Sequence, residues 1–271
     1  MALNLGSGAI SAAKIGSTDV AKLILGSTEV YTAGGGSLSD PSTISGLQLW
    51  IDASDSSSYT TSNGFIQYIN DKSTNAHQFD EKTIAYYPGQ YGATVSSASQ
   101  NSLDTFYFDN DGYNINSSFV PYVPNCTIFF VASTTSGTND YWLGGNASGT
   151  RPAILSGYDV TSSGQAQGFE WYGMAAGEML TFGNQSGMTG PQLLTVTRSQ
   201  PGSTTIYLDG TQVATATADT TPTTSDGFTK LGYGGGSVTG ATFCEWLVYD
   251  SVLSSSDRQA VEGYLRTKWG L

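Results

Sequence analysis

The sequence predicts an all-β protein: a two-sheet antiparallel jelly-roll sandwich with one C-terminal helix, plus a small N-terminal β segment. Three observations predict this fold. Short runs rich in β-branched and aromatic residues recur along the 271 residues, separated by turn sequences rich in Gly, Asn, Asp and Ser. Apolar residues with a helical period follow the last of these runs. The hydrophobic fraction of 38% is enough for a core, although only 12% of the residues are charged.

The first 33 residues contain a short repeat that predicts a separate β segment. The sequence IGSTDV at residues 15–20 recurs as LGSTEV at residues 25–30. Gly-Ser-Thr between apolar stretches is typical of tight turns, so we expect three short strands in a meander. Such a unit buries too little apolar area to be stable alone. It is therefore expected to pack against copies of itself or a partner; an extra hairpin on the main domain is the alternative.

Residues 34–43 form a Gly/Ser linker that ends in a proline turn, and residues 44–271 form the main domain. In the first strand, Leu47, Leu49 and Ile51 are expected on one face and Trp50 on the other. The nearly continuous apolar run at residues 126–134 predicts a central strand covered on both faces. Further strands are predicted at residues 65–71, 103–115 with a turn at 109–112, 141–145, 153–155, 168–174 and 193–218, the last interrupted by turns at 201–202 and 209–210.

The chain from residue 242 onward predicts one strand followed by the helix. Phe243, Trp246, Val248 and Tyr249 form the strand. Ser254 is placed as the helix N-cap, with Asp257 three residues on completing a capping box, and Gly270 is the expected stop. The apolar stripe of the helix consists of Val261, Tyr264, Leu265 and Trp269. A single amphipathic helix is expected to cover an edge or end of the sandwich.

Three stretches of the main domain resemble concanavalin A-like (laminin G-like) jelly-roll domains. The resemblance is carried by Glu245, Tyr249 and Asp250 in an E-x-x-x-Y-D pattern, followed by a helix that ends in YLRTKWGL. Residues 47–73 resemble the opening of these domains, and residues 205–218 resemble a late hairpin. The resemblance covers residues 44–271 and implies the jelly-roll fold. The same fold occurs in lectins, hydrolases and adhesion modules, so it does not imply one function.

The charge of the chain argues against several classes of partner. A net charge of -12 and the absence of a Lys/Arg cluster disfavour nucleic acid and anionic lipid. No apolar run is long enough for a membrane span, and the N-terminus does not have the pattern of a secretory signal. Cys126 and Cys244 are interpreted as buried thiols, with a disulfide left open. The single histidine, His77, has no partner motif, and neither a metal nor a cofactor is expected.

The sequence does not predict an enzyme. Glycoside hydrolases need paired carboxylates, and no strand carries two of them at alternating positions. Glu170 and Glu178 could face each other only across a hairpin, and a solvated strand face is the preferred interpretation. A serine triad would have to use His77, and no GxSxG sequence is present.

A carbohydrate-binding site is better supported, because sugars pack on aromatic rings and hydrogen-bond to acids and amides. The candidates are aromatic and polar residues in or beside Gly-rich loops, namely Asp140, Tyr141, Trp142, Asn146, Tyr158, Trp171 and Tyr172. Each aromatic residue in this set has the alternative of being part of the core. Trp50, Trp246 and Trp269 are assigned to the core outright.

The N-terminal "LGSTxVY" repeats resemble the short N-termini of phage tail and other virion proteins. That resemblance implies a bacteriophage virion surface protein, and we expect a tail-fibre or receptor-binding component that recognises host-surface glycan. Other virion proteins would be contacted through residues 1–33, and the protein is expected to be a homo-oligomer. The alternatives are a capsid decoration protein and an enzyme that degrades surface polysaccharide.

Overall fold

The computed structural model describes residues 14–15, 18–19, 22–25, 28–32, 38–81, 92–115, 125–133, 140–144, 153–156, 169–172, 179–180, 190–199, 203–217, 230–232 and 238–271. The N-terminal strands are β1 (Lys14–Ile15), β2 (Thr18–Asp19), β3 (Lys22–Leu25) and β4 (Thr28–Thr32). The next group is β5 (Leu47–Asp52), β6 (Tyr59–Ser62), β7 (Phe65–Asn70), β8 (Gln78–Glu81), β9 (Thr94–Gln100), β10 (Leu103–Asp111) and β11 (Tyr113–Ile115). Then follow β12 (Cys126–Ser133), β13 (Asp140–Gly144), β14 (Ala153–Ser156), β15 (Phe169–Tyr172), β16 (Met179–Leu180), β17 (Gln192–Arg198), β18 (Ser203–Leu208), β19 (Thr211–Thr217), β20 (Lys230–Leu231), β21 (Val238–Tyr249) and the helix α1 (Ser255–Trp269).

The N-terminal strands form two hairpins, not the predicted three-strand meander. Strand β1 pairs with β2, and β3 pairs with β4. In the first hairpin Ile15 pairs with Thr18, and in the second Leu25 pairs with Thr28. Each copy of the sequence repeat therefore supplies one complete hairpin with a two-residue connection, which explains why the repeat is about ten residues long.

The main domain is a sandwich of two antiparallel sheets, as the sequence predicts. In the first sheet the order is β19–β18–β17–β12–β21. On the other side of β21, its N-terminal half pairs with β10 and its C-terminal half pairs with β5. Strand β9 pairs with the far side of β10. In the second sheet the order is β16–β15–β14–β13–β20–β11–β8–β7–β6. The long strand β21 is central, since three other strands pair directly with it.

An inter-sheet core fills the space between the two sheets. Its aromatic centre is Phe243, whose ring lies 5.7 Å from that of Phe106 and 5.6 Å from that of Phe130. Trp246 and Phe79 join the two sheets, with ring centroids 6.0 Å apart. All five side chains are fully buried, and the assignment of Trp246 to the core is confirmed.

A second, helix-side core lies on the outer face of the first sheet, where α1 packs. It contains Trp50, Phe129, Leu247, Leu265 and Trp269, which are all buried. The prediction that the helix covers an edge or end of the sandwich is therefore wrong, because α1 covers the middle of a sheet. Strand β12 is buried along its whole length because both of its faces are covered, as the sequence predicts.

The helix N-cap, the helix stop and the Asp209-Gly210 turn are confirmed, but the capping box is not formed as predicted, because the Asp257 carboxylate accepts from the Ser254 hydroxyl at 2.8 Å and not from the Ser254 amide. The Ser254 hydroxyl accepts a hydrogen bond from the Asp257 amide at 3.1 Å, and Gly270 ends the helix with a φ of 68°. The Asp209-Gly210 turn has φ values of 49° and 80°, as a two-residue hairpin of this type requires.

Two irregularities in strand pairing were not predicted. Leu47 packs in the helix-side core and not beside Leu49, because the pairing with β21 shifts by one residue at Gln48. The expected turn at residues 109–112 is also wrong, since β10 stays paired with β21 as far as Asp111.

Candidate functional site

The structure brings together two of the strands that carry predicted glycan-binding residues. Asp140, Tyr141 and Trp142 belong to β13, while Trp171 and Tyr172 belong to β15. The two remaining candidates, Asn146 and Tyr158, lie outside the described residues.

Only β14 separates these two strands. Tyr141 pairs with Leu155, which in turn pairs with Glu170 on β15. Since neighbouring strands are about 4.8 Å apart, the two candidate-bearing backbones lie about 10 Å from each other. The pairing of β13 with β14 skips Trp142, which marks a β-bulge at a candidate residue. Bulges of this kind change the direction of a side chain and are common beside functional sites.

Glu178, which could have faced Glu170 across a hairpin, lies outside the described residues. In β15 and β16, Trp171 pairs with Leu180 and Tyr172 pairs with Met179. This part of the sheet therefore brings no second described carboxylate beside Glu170.

A buried polar cluster among the described residues surrounds the carboxylate of Glu245, which is completely buried. It accepts hydrogen bonds from the indole nitrogens of Trp50 and Trp269, each at 2.7 Å. It also accepts from the Lys268 ammonium at 2.8 Å and from the Tyr264 hydroxyl at 3.3 Å. Four donors thus surround a single carboxylate, as a buried ionised group requires.

A β-bulge in β21 places Glu245 on the helix side. Val131 pairs with Glu245 and Ala132 with Phe243, so Cys244 is the extra residue. Because of this irregularity, the two consecutive residues Cys244 and Glu245 both face the helix-side core.

A chain of ion pairs continues from this cluster to the protein surface. Lys268 contacts Asp52 at 2.7 Å, and Lys72 contacts Asp52 at 2.8 Å and Asp55 at 2.7 Å. Burial on its own would raise the pKa of Asp52, but the charge and hydrogen bond of Lys268 bring it below its ordinary value. Burial and the neighbouring charge of Asp52 raise the pKa of Glu245.

This arrangement is suited to holding the fold together and not to catalysis. A general acid or nucleophile must reach substrate, and Glu245 is sealed between the helix and the sheet. Within the described ranges, no group of three or more His, Cys, Asp or Glu side chains could hold a metal ion.

The other two residues of the E-x-x-x-Y-D pattern also fix the structure. The Tyr249 hydroxyl donates to the carbonyl of Pro41 at 2.9 Å. The Asp250 carboxylate accepts from the side-chain amide of Gln48 at 2.8 Å, and its backbone amide donates to the Gly46 carbonyl. All three residues therefore join β21 to the beginning of the main domain.

The two cysteines are free and buried, as the preferred interpretation holds. Cys126 lies in the inter-sheet core and Cys244 in the helix-side core, on opposite faces of the first sheet. Burial raises the pKa of the Cys126 thiol to about 12, so the thiol is protonated at neutral pH and is a poor nucleophile.

Together, the two sheets, the two cores and the single helix define a β-sandwich protein of the jelly-roll class. No protein-family model matches the sequence, and no curated protein matches it either. Within the described parts of the chain, no helix is both long enough and apolar enough to span a bilayer.

Several solved structures share this fold. The binding domain of Paraclostridial Mosquitocidal Protein 1 matches with a TM-score of 0.53 and 14% identity, covering 80% of this chain and 52% of that chain. The binding domain of botulinum neurotoxin serotype C1 matches with a TM-score of 0.55 and 10% identity, covering 83% of this chain and 53% of that chain. The protein thus spans about half the length of these toxin domains.

Domain 4 of an extracellular arabinanase from Geobacillus stearothermophilus, solved in complex with arabinotriose, is similar over almost its whole length. It matches with a TM-score of 0.55 and 10% identity, covering 80% of this chain and 97% of that chain. At these identities the likeness establishes the fold of the protein.

Proposed function

We propose that this protein is a carbohydrate-binding β-sandwich on the surface of a bacteriophage particle, where it serves as a tail-fibre or receptor-binding component. The observation that carries the glycan-binding part is the placement of β13 and β15 on either side of β14. This order brings the backbones that carry the aromatic pairs Tyr141–Trp142 and Trp171–Tyr172 within about 10 Å of each other. Aromatic rings beside an acid such as Asp140 are what a sugar-binding site needs.

The fold comparisons support the same proposal. Two of the similar structures are binding domains of toxins, and a third is a domain in complex with a short arabinose oligomer. The buried position of Glu245 argues against the alternative of a degrading enzyme, because this carboxylate is sealed from any substrate.

The virion part of the proposal is supported by the N-terminal repeat and by the composition. Residues 1–33 would attach the protein to other virion proteins, with each repeat copy providing one hairpin. A surface poor in charge and rich in hydroxyl and amide groups suits repeated weak contacts with host-surface glycan. Several copies on one particle, as a homo-oligomer or as neighbours, would multiply those contacts.

Immunogold labelling of intact particles, with antibody raised against residues 44–271, tests the virion part. We expect label at the tail tip. Label over the head would favour a capsid decoration protein, and unlabelled particles would contradict a virion role.

Binding of the full-length protein to an array of bacterial surface glycans tests the glycan part. We expect retention that weakens about tenfold in a Trp142→Ala, Trp171→Ala double variant. A fall in viscosity of a polysaccharide solution during incubation would instead show a degrading enzyme.

A further inference from the structure

The second sheet presents an exposed aromatic ring at the end opposite to the candidate strands. Tyr68 on β7 is 44% exposed, and among the described residues only Tyr107 and Val252 are comparably exposed large hydrophobic side chains. The side chains of Thr60, Asn70, Gln78 and Asp80 share its face, and we call these five residues the Tyr68 face.

Strand pairing defines this face. Tyr68 pairs with Thr60 on β6 and with Asp80 on β8, and Asn70 pairs with Gln78 one step further along. The intervening residues Ile69 and Phe79 are fully buried in the inter-sheet core. Because side chains alternate along a strand, the residues of the Tyr68 face point away from the core.

The polar groups of the face are held in place. The side-chain amide nitrogen of Gln78 donates to the side-chain oxygen Oδ1 of Asn70 at 2.9 Å, which orients both amides on the sheet surface. From Thr60 to Asp80 the face spans two strand spacings, or about 10 Å, and from Tyr68 to Asn70 about 7 Å. A surface of this size matches one or two sugar rings.

We propose that the Tyr68 face binds a neutral glycan. The ring of Tyr68 would pack against the C–H face of a sugar, while Asp80 and the amide pair would hydrogen-bond to its hydroxyl groups. This inference rests on the proposed glycan-binding function, but it assigns a site separate from the strands β13 and β15.

The preference for a neutral ligand follows from charge. Asp80 is the only carboxylate of the face, and none of its five residues is cationic. The chain as a whole carries a net charge of -12. Acidic sugars such as uronates would therefore be repelled, both by the face and by the field of the whole protein.

Affinity electrophoresis of the full-length protein tests this proposal. The gels contain neutral polysaccharides (dextran, mannan, galactan or arabinan) or acidic ones (alginate or polygalacturonate). The test variant is Tyr68→Ala. The matched control is Tyr107→Ala, which removes a tyrosine that is 39% exposed on β10 of the other sheet. Thermal unfolding of each variant verifies that the fold is intact.

We expect at least one neutral polysaccharide to retard the wild type, and Tyr68→Ala, made in the Trp142→Ala, Trp171→Ala background, to weaken the remaining retardation about tenfold. Tyr68→Phe, which keeps the ring, should bind nearly as well as the wild type, and Tyr107→Ala should bind equally well.

If this triple variant is retarded as strongly as the Trp142→Ala, Trp171→Ala protein, the Tyr68 site is overturned while glycan binding by the protein stays intact. Stronger retardation by the acidic polymers would overturn the neutral preference and with it the proposal. A wild type that no polysaccharide retards would contradict both this proposal and the glycan-binding function.

Discussion

At the scale of single residues, the carboxylate of Glu245 joins parts of the chain that are far apart in sequence. Its donors are Trp50 at the start of the main domain and Tyr264, Lys268 and Trp269 in α1. Removing one member of a buried charged network leaves its partners buried without a hydrogen bond or an opposite charge. This lowers the free energy of unfolding by more than the loss of the contact itself.

Glu245→Gln is therefore expected to lower the free energy of unfolding by about 3 kcal/mol. The amide keeps one acceptor but turns an NH₂ group toward other donors. Urea denaturation measures the change. Asp250→Asn, at an exposed position of the same sequence pattern, is the control and should change stability by less than about 0.5 kcal/mol. Equal effects of the two substitutions would contradict the role given to Glu245.

The stability of the folded protein in acid depends on the ion pair between Asp55 and Lys72. Hydrogen bonds from Lys72 and Ser57 lower the pKa of Asp55 to about 2. Since the pKa of an aspartate is near 4 in the unfolded chain, the lower pKa of Asp55 in the folded protein means that ionised Asp55 stabilises the fold. That contribution is complete above about pH 4 and is lost as the pH falls toward 2. The pKa of Asp52 is lowered in the same direction.

Lys72→Met should accordingly flatten the fall in unfolding free energy between about pH 4 and 2, because Asp55 loses its ammonium partner, while Asp52 keeps Lys268 and contributes less to the change. Urea denaturation at a series of pH values gives the two curves. Parallel curves for the wild type and the variant would show that Lys72 does not set these pKa values.

At the scale of elements, α1 is the part of the fold that the sequence predicts most accurately. Its start depends on Ser254 and Asp257 and its end on Gly270, so a local pattern at each end is sufficient. Its location on a sheet face depends on how β21 pairs with β5 and β12, and strand pairing has no local signal. The displacement of Leu47 has the same cause, since a bulge reverses the alternation on which the prediction relies.

Ser254→Ala should lower the free energy of unfolding by about 1 kcal/mol, because the Asp257 amide loses its acceptor. Ser255→Ala, one residue into the helix, is the matched control and should be neutral or slightly stabilising, since alanine has the higher helix propensity. Thermal unfolding compares the two variants. A larger loss in Ser255→Ala would contradict the assignment of the cap.

The Tyr68 face was not among the predicted sites, and the reason is also structural. In the sequence, Tyr68 lies in an ordinary strand pattern, and exposed and buried tyrosines look alike there. Thr60, Gln78 and Asp80 become its neighbours only through the pairing of β6, β7 and β8. The candidates on β13 and β15 were found because their aromatic residues are adjacent in sequence, and their role stays a prediction.

At the scale of the whole molecule, the described strands divide into hairpins in the N-terminal segment and a two-sheet sandwich. Strands β1 to β4 pair only with one another among the described residues.

Deletion of residues 1–33 should therefore leave the thermal midpoint of the sandwich within about 2 °C of that of the full-length protein. A large fall in the midpoint on calorimetry would mean that the segment contributes to the core of the main domain.

The central position of β21 also affects how the protein is made. Residues 238–249 leave the ribosome after β5, β10 and β12, with which they pair. Until then those three strands have unpaired edges, and the inter-sheet core lacks Phe243 and Trp246. The sandwich thus cannot complete its folding before β21 has emerged, and a message that stops ahead of residue 238 would yield a nascent chain with exposed edges and a strong tendency to aggregate.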